Sequence, residues 1–169
     1  MPRSIECPAF AFPIRRLQAM QISRWLALLV FFTPLSAFAG LGGDSNSVVT
    51  DQIHFQASLK TTQMTAFTVH EIHPQKGTVI REYVSPTGTV FAVTWHGSWI
   101  PDMQQLLGSH FQQLVSGAQA QNSVHTGRHP LNIVQPDFVF QQGGHMRAFS
   151  GRAYLPQMLP TGVHAEAIQ

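Results

Sequence analysis

Cysteine is almost missing from this chain: Cys7 is the only one, so no intrachain disulfide can form and the fold must be held by packing. Charge is scarce as well, with Asp, Glu, Lys and Arg at 11%. Clustered Lys and Arg, which phosphate-backbone binding requires, are absent beyond residue 39, and a nucleic-acid partner is not expected. Long apolar runs are limited to Trp25–Phe32. That run is shorter than the roughly 20 residues a transmembrane helix needs.

The same run has the setting of an export leader. Arg15, Arg16 and Arg24 precede it, Thr33-Pro34 breaks it, and Ala37-Phe38-Ala39 comes next with small residues in an A-x-A arrangement. Residues 1–39 therefore read as a signal peptide cut before Gly40, and Met20 offers a start that gives a compact leader. The Arg15-Arg16 pair lacks the surroundings of a twin-arginine signal. Residues 40–169 form the expected mature part, one domain in the periplasm or the medium, with no membrane span left after cleavage. It carries no cysteine at the cut to take a lipid. Its six bases face seven acids, a net charge of −1, so the pI near 9.1 describes only the uncut chain.

Periodicity then predicts the elements. Gly40–Gly43 reads as a flexible start, followed by a capping group at Asp44, Ser45 or Ser47 and a helix over 47–58. β-Branched and aromatic residues predict strands over 65–72, 78–84 and 89–95, separated by His73-Pro74 to Gly77 and Ser85-Pro86 to Gly88. Proline early and glycine late in each link suit tight turns, so the three strands form a meander. Pro101 sits where a second helix begins. Met103, Leu106, Leu107, Phe111 and Leu114 recur as its apolar stripe, Gln113 is expected on its solvent side, and Gly117 ends it. A loop over 118–130 precedes strand pieces at 131–134 and 138–141, a turn at Gln142-Gly143-Gly144, and a last strand over 145–155 with an irregularity at Gly151. The tail from Pro156 reads as a surface extension. Two helices on one face of an antiparallel sheet, an α+β domain, is the economical arrangement.

Several segments resemble the bacterial family of unknown function DUF2844. They are Gly40 to Asp44, His70 to Ile72, Gly77 to Trp95, Pro101 to Gly108 and Gly143 to Pro156. The resemblance spans the mature part and implies an exported proteobacterial protein. It implies no activity, substrate or cofactor.

Candidate chemistry is sparse. All nine histidines lie beyond the cut, and imidazole is the commonest side-chain metal ligand. His70-Glu71-Ile72-His73 is not His-Glu-x-x-His, so a zinc-protease reading fails. A cross-strand site for copper or zinc would combine His70 or His73 with His96 or His145. Ser109 and Ser150 lack a nucleophile elbow. Glu71, Glu82 and Asp102 read as partners for Lys76, Arg81 or solvent. Arg147 and Arg152 are expected to pair with Glu82 or Glu71, or to hold an anion together if a bulge at Gly151 brings them to one face. Trp95 reads as core and Trp99 as cover for the second helix, although Trp99 also suits an interaction surface with Arg147 and Arg152. The reading is a non-catalytic binding or assembly domain without a cofactor, its partner a protein of the cell envelope. A periplasmic metal-binding protein and a hydrolase with an unmarked site are the rivals.

Overall fold

Turn chemistry sets the topology. The computed structural model describes residues 40–75, 77–124 and 129–169. The elements are helix α1 (Asn46–His54), strands β1 (Ser58–Gln63), β2 (Thr68–His73), β3 (Thr78–Val84) and β4 (Val90–Gly97), and helices α2 (Met103–Leu107) and α3 (Phe111–Val124). Strands β5 (Leu131–Val134), β6 (Val139–His145) and β7 (Ala148–Tyr154) complete the order. At the β3–β4 turn, Gly88 at φ 84° donates its N–H to the Ser85 carbonyl, and the Ser85 N–H bonds the Thr89 carbonyl. Among the described residues the seven strands make one antiparallel sheet in the order β1-β2-β3-β4-β7-β6-β5. Two meanders thus join through the β4–β7 pair, and the class is α+β. Among the described residues no helix is long and apolar enough to cross a membrane. The leader expected over 1–39 lies outside the described residues.

The strands alternate between two phases, apart from a bulge in β4 opposite Tyr83 and Val84 that puts consecutive Phe91 and Ala92 in one cluster, and each phase has its own apolar cluster. Ile72, Ile80, Val93, Trp95, Phe140 and Ala153 share one cluster with helical Val48, Leu106, Leu107 and Leu114. Leu106 and Leu107 are fully buried, each worth about 1.5–3 kcal/mol of transfer free energy. Val69, Tyr83, Phe91 and Ala92 form the other cluster with Val163 and Ile168. The tail from Pro156 is therefore no loose extension. Buried Val163 and Ile168 dock it, and the Tyr83 hydroxyl donates to the Gln169 carbonyl at 2.5 Å.

Other expectations are corrected by close contacts. Gly40–Gly43 is bonded in place, with the Leu41 N–H on the Leu106 carbonyl and the Gly42 N–H on that of Val90, both at 2.8 Å. The helix expected to reach Ser58 stops at His54, and Gln56 turns left-handed at φ 48°. Edge strand β1 then begins at Ser58; its slight burial, with Leu59 as its one apolar residue, gives no strand signal in the sequence. Pro101 precedes α2 and Asp102 caps it, accepting from the N–H groups of Gln104 and Gln105 at 3.0 and 3.2 Å. The stripe helix breaks at Gly108 and resumes as α3, which runs past Gly117 to Val124. A Cβ on Gly117 would lie 2.7 Å from Ile133, so that glycine admits β5 instead of ending the helix. Gly143 and Gly144 lie inside β6, and Arg147 at φ 65° makes the turn. Gly151 keeps regular register on both sides; a Cβ there would meet the Trp95 ring at 2.3 Å. In place of the expected bulge there is a packing glycine.

Candidate functional site

Register builds a polar row across the sheet. Lys60, Glu71, Arg81, Thr94, Arg152, Gln141 and Asn132 are successive Cα partners on all seven strands. They occupy the phase whose next row, Val69, Tyr83, Ala92 and Tyr154, lies in the cluster that the tail covers. Beyond the tail the row is open, and a cavity of about 670 Å³ lies over it. Arg81, Thr94, Arg152, Gln141, Ser150 and Gln169 contribute to its walls. That volume falls within the roughly 300–1,000 Å³ range of ligand pockets.

Hydrogen bonds organise the row into two halves. Arg81 Nε donates to Glu71 Oε1 at 2.8 Å and Lys60 Nζ to Glu71 Oε2 at 3.3 Å. The bond from Arg81 holds the Glu71 carboxyl below the usual carboxylate range against the opposing effect of desolvation, with a smaller lowering effect from Lys60. In the other half, Arg152 Nε donates to Gln141 Oε1 at 2.7 Å, and Gln141 Nε2 to Asn132 Oδ1 at 3.1 Å. The Arg152 guanidinium also reaches the Ala165 carbonyl at 2.8 Å. Thr94, 4% exposed between the two arginines, has no partner for its hydroxyl.

A second polar group lies inside the helix-side cluster. Glu82 and Asp51 are both 0% exposed. Burial raises the Glu82 carboxyl well above the usual range, and neighbouring Asp51 adds to the rise. Asp51 is raised by burial against the lowering effect of neighbouring Glu82 and of Gln105, whose Nε2 donates to Asp51 Oδ1 at 2.5 Å; Asp51 Oδ2 and both Glu82 carboxyl oxygens make no hydrogen bond of good geometry. Burial thus favours the protonated form of Glu82 beside Asp51, and among the described residues Glu82 pairs with neither Arg nor Lys, contrary to the sequence reading. Neither carboxyl lines the cavity over the row or the smaller hollow beside Trp99, so neither opens the pair to a substrate.

The sequence-derived candidates are scattered. His96 and Arg152 both line the cavity. His70 is on the opposite phase, facing Thr61 Oγ1 at 3.0 Å, and burial lowers its pKa. His73 Nε2 is 3.6 Å from Glu71 Oε2, while His145 ends β6, exposed. Among the described residues no three His, Cys, Asp or Glu side chains gather as a metal site. Arg147 occupies the β6–β7 turn, apart from Arg152, and Arg152 makes no ion pair with Glu71 or Glu82. Trp95 is core, 2% exposed. Trp99 is half-buried beside Phe55, and together they border a hollow of about 290 Å³.

Sequence reasoning missed Arg81, Thr94, Gln141 and Asn132 as a group, because only the register aligns them. The buried acids did leave a signal. Asp51 lies three residues after Val48 on the helical stripe, and Glu82 shares the phase of Ile80 and Val84.

A family model described as a protein of unknown function, DUF2844, matches residues 37–168. No curated protein and no solved structure matches the chain.

Proposed function

The chain belongs to the DUF2844 family, and from that premise we propose that it is an exported, non-catalytic binding domain that engages a cell-envelope partner through the open groove over β4, β7 and β6. The groove carries the reading: a ligand-sized cavity lined by hydrogen-bonding side chains, on the part of the sheet that the tail leaves uncovered. The leader pattern supports export, and the family match begins at residue 37, beside the expected cut after Ala39. The buried acids support binding over catalysis, since general acid–base work requires reach to a substrate.

The test is a photo-crosslinking amino acid placed in living cells at exposed Ser150 on the groove wall, or at exposed Gln112 on α3 as control. Adducts from position 150 in the envelope fraction, absent from position 112, are the expected result. Retention of the protein in the cytoplasm, or the same adducts from both positions, would remove the reading.

A further inference from the structure

The groove holds positive charge that the protein does not balance. Arg152 is half-buried, and its contacts are neutral: the Gln141 amide, the Ala165 carbonyl and the Tyr154 ring, whose centroid is 5.9 Å away. Among the described residues it joins no ion pair. Arg81 has a carboxylate in Glu71, which is also shared with Lys60 and His73, and its Nη1 donates to the Gln169 main-chain oxygen at 3.4 Å. Between the two arginines in register lies Thr94, with a buried hydroxyl that has no partner. A buried hydroxyl without a partner is unfavourable, and a half-buried guanidinium without a counter-charge favours anion uptake. Both conditions meet on one cavity wall.

We propose that the groove binds an oxyanion, a carboxylate or a phosphate, seated between Arg81 and Arg152 over Thr94. This rests on the groove being the binding site. Guanidinium forks match the paired oxygens of either anion, and the threonine hydroxyl supplies a further donor. Asn132, Gln141 and Ser150 are neutral hydrogen-bonding groups along the same walls. A cavity of about 670 Å³ is far larger than a bare phosphate. The anion is therefore the anchor of a larger molecule whose uncharged body meets these groups. The Asp51–Glu82 pair cannot compete for this role, since both side chains are enclosed and acidic.

The experiment is a titration of the purified protein with sodium phosphate and, separately, sodium acetate, monitored by backbone amide NMR shifts against sodium chloride at matched ionic strength. Saturable shifts at Thr94, Gln141 and Arg152 are expected with at least one salt, and the tighter one names the anion. Arg152→Gln should weaken binding by about tenfold or more, the usual scale for losing charged hydrogen bonds. Arg147→Gln removes the same charge from the hairpin turn and should change affinity by less than about twofold under screening salt. Should Arg152→Gln fail to fold, Arg152→Lys and Thr94→Val provide the comparison, each weakening anion binding while keeping close to the native side-chain shape. Absence of saturable shifts with both salts, or equal losses in the Arg152 and Arg147 variants, overturns the anion assignment. Crosslinking from position 150 is read independently, so it separates a wrong ligand class from a wrong site.

Discussion

Glu82→Gln should remove one source of this protein's pH sensitivity, because burial favours the protonated form of Glu82 in the fold. It is fully buried at the α1–sheet junction with Asp51, and its pKa is raised well above the ordinary 4.5 by burial first and Asp51 second. A raised folded-state pKa means that the folded chain holds a proton the unfolded chain releases. Stability from this group is fully present below about pH 4.5 and is lost as pH rises through the folded value. One such proton corresponds to about 1.4 kcal/mol per pH unit while the folded carboxyl remains protonated. Asp51 has the same sign, also raised by burial first. His70, the cross-strand partner of Glu82, acts oppositely: burial lowers its pKa, so its contribution is present above pH 6.5 and is lost on acidification. His54 and Asp102 also act on Asp51, and all of these groups remain in the variant. Urea unfolding at pH 5, 6 and 7 should therefore show the parent losing stability relative to the variant as pH rises, by at most that one-proton value per pH unit, with the Gln variant relatively better at neutral pH. Parallel stability curves, or a Gln variant worse by the same amount at every pH, would refute the buried-proton assignment.

Packing and the leader lead to three further expected outcomes. Leu107→Ala should lose about 2–5 kcal/mol in thermal or urea unfolding, whereas exposed Gln112→Ala stays within about 0.5 kcal/mol. Gln113 is no solvent-facing control, because it bridges His110 and Asp137 at 2.9 and 2.8 Å. Gly151→Ala should lose about 1–3 kcal/mol, since its methyl would press on Trp95, and near-UV circular dichroism should report the displaced indole. N-terminal sequencing of the exported protein should begin at Gly40, and a first residue upstream of Trp25 would contradict the leader.

Much of the fold was legible because its signals are local. Thr78–Val84 shows its phase and its flanking turns openly, and the stripe from Met103 to Leu114 needs only helical spacing. The misread positions depend on distant neighbours. Gly117 resembles a helix stop until Ile133 packs against it, and Gly151 resembles a bulge until Trp95 crosses it. Polar edge strand β1 lacks the apolar alternation that marks a strand. The groove was the least legible feature, since Arg81 and Arg152 are 71 residues apart in the chain and become neighbours of Thr94 only through the β3–β4 and β4–β7 registers.

The central claim is that this groove binds, and plugging it is the most direct test. Gly143 lines the cavity within β6, and a Cβ added there meets nothing within 4 Å. Gly143→Trp should therefore fill the groove while the sheet tolerates an aromatic residue in a strand. With the photo-crosslinker at position 150, most envelope adducts should disappear in Gly143→Trp while its thermal midpoint stays with the parent. Undiminished adducts from a folded, plugged protein would contradict binding in the groove.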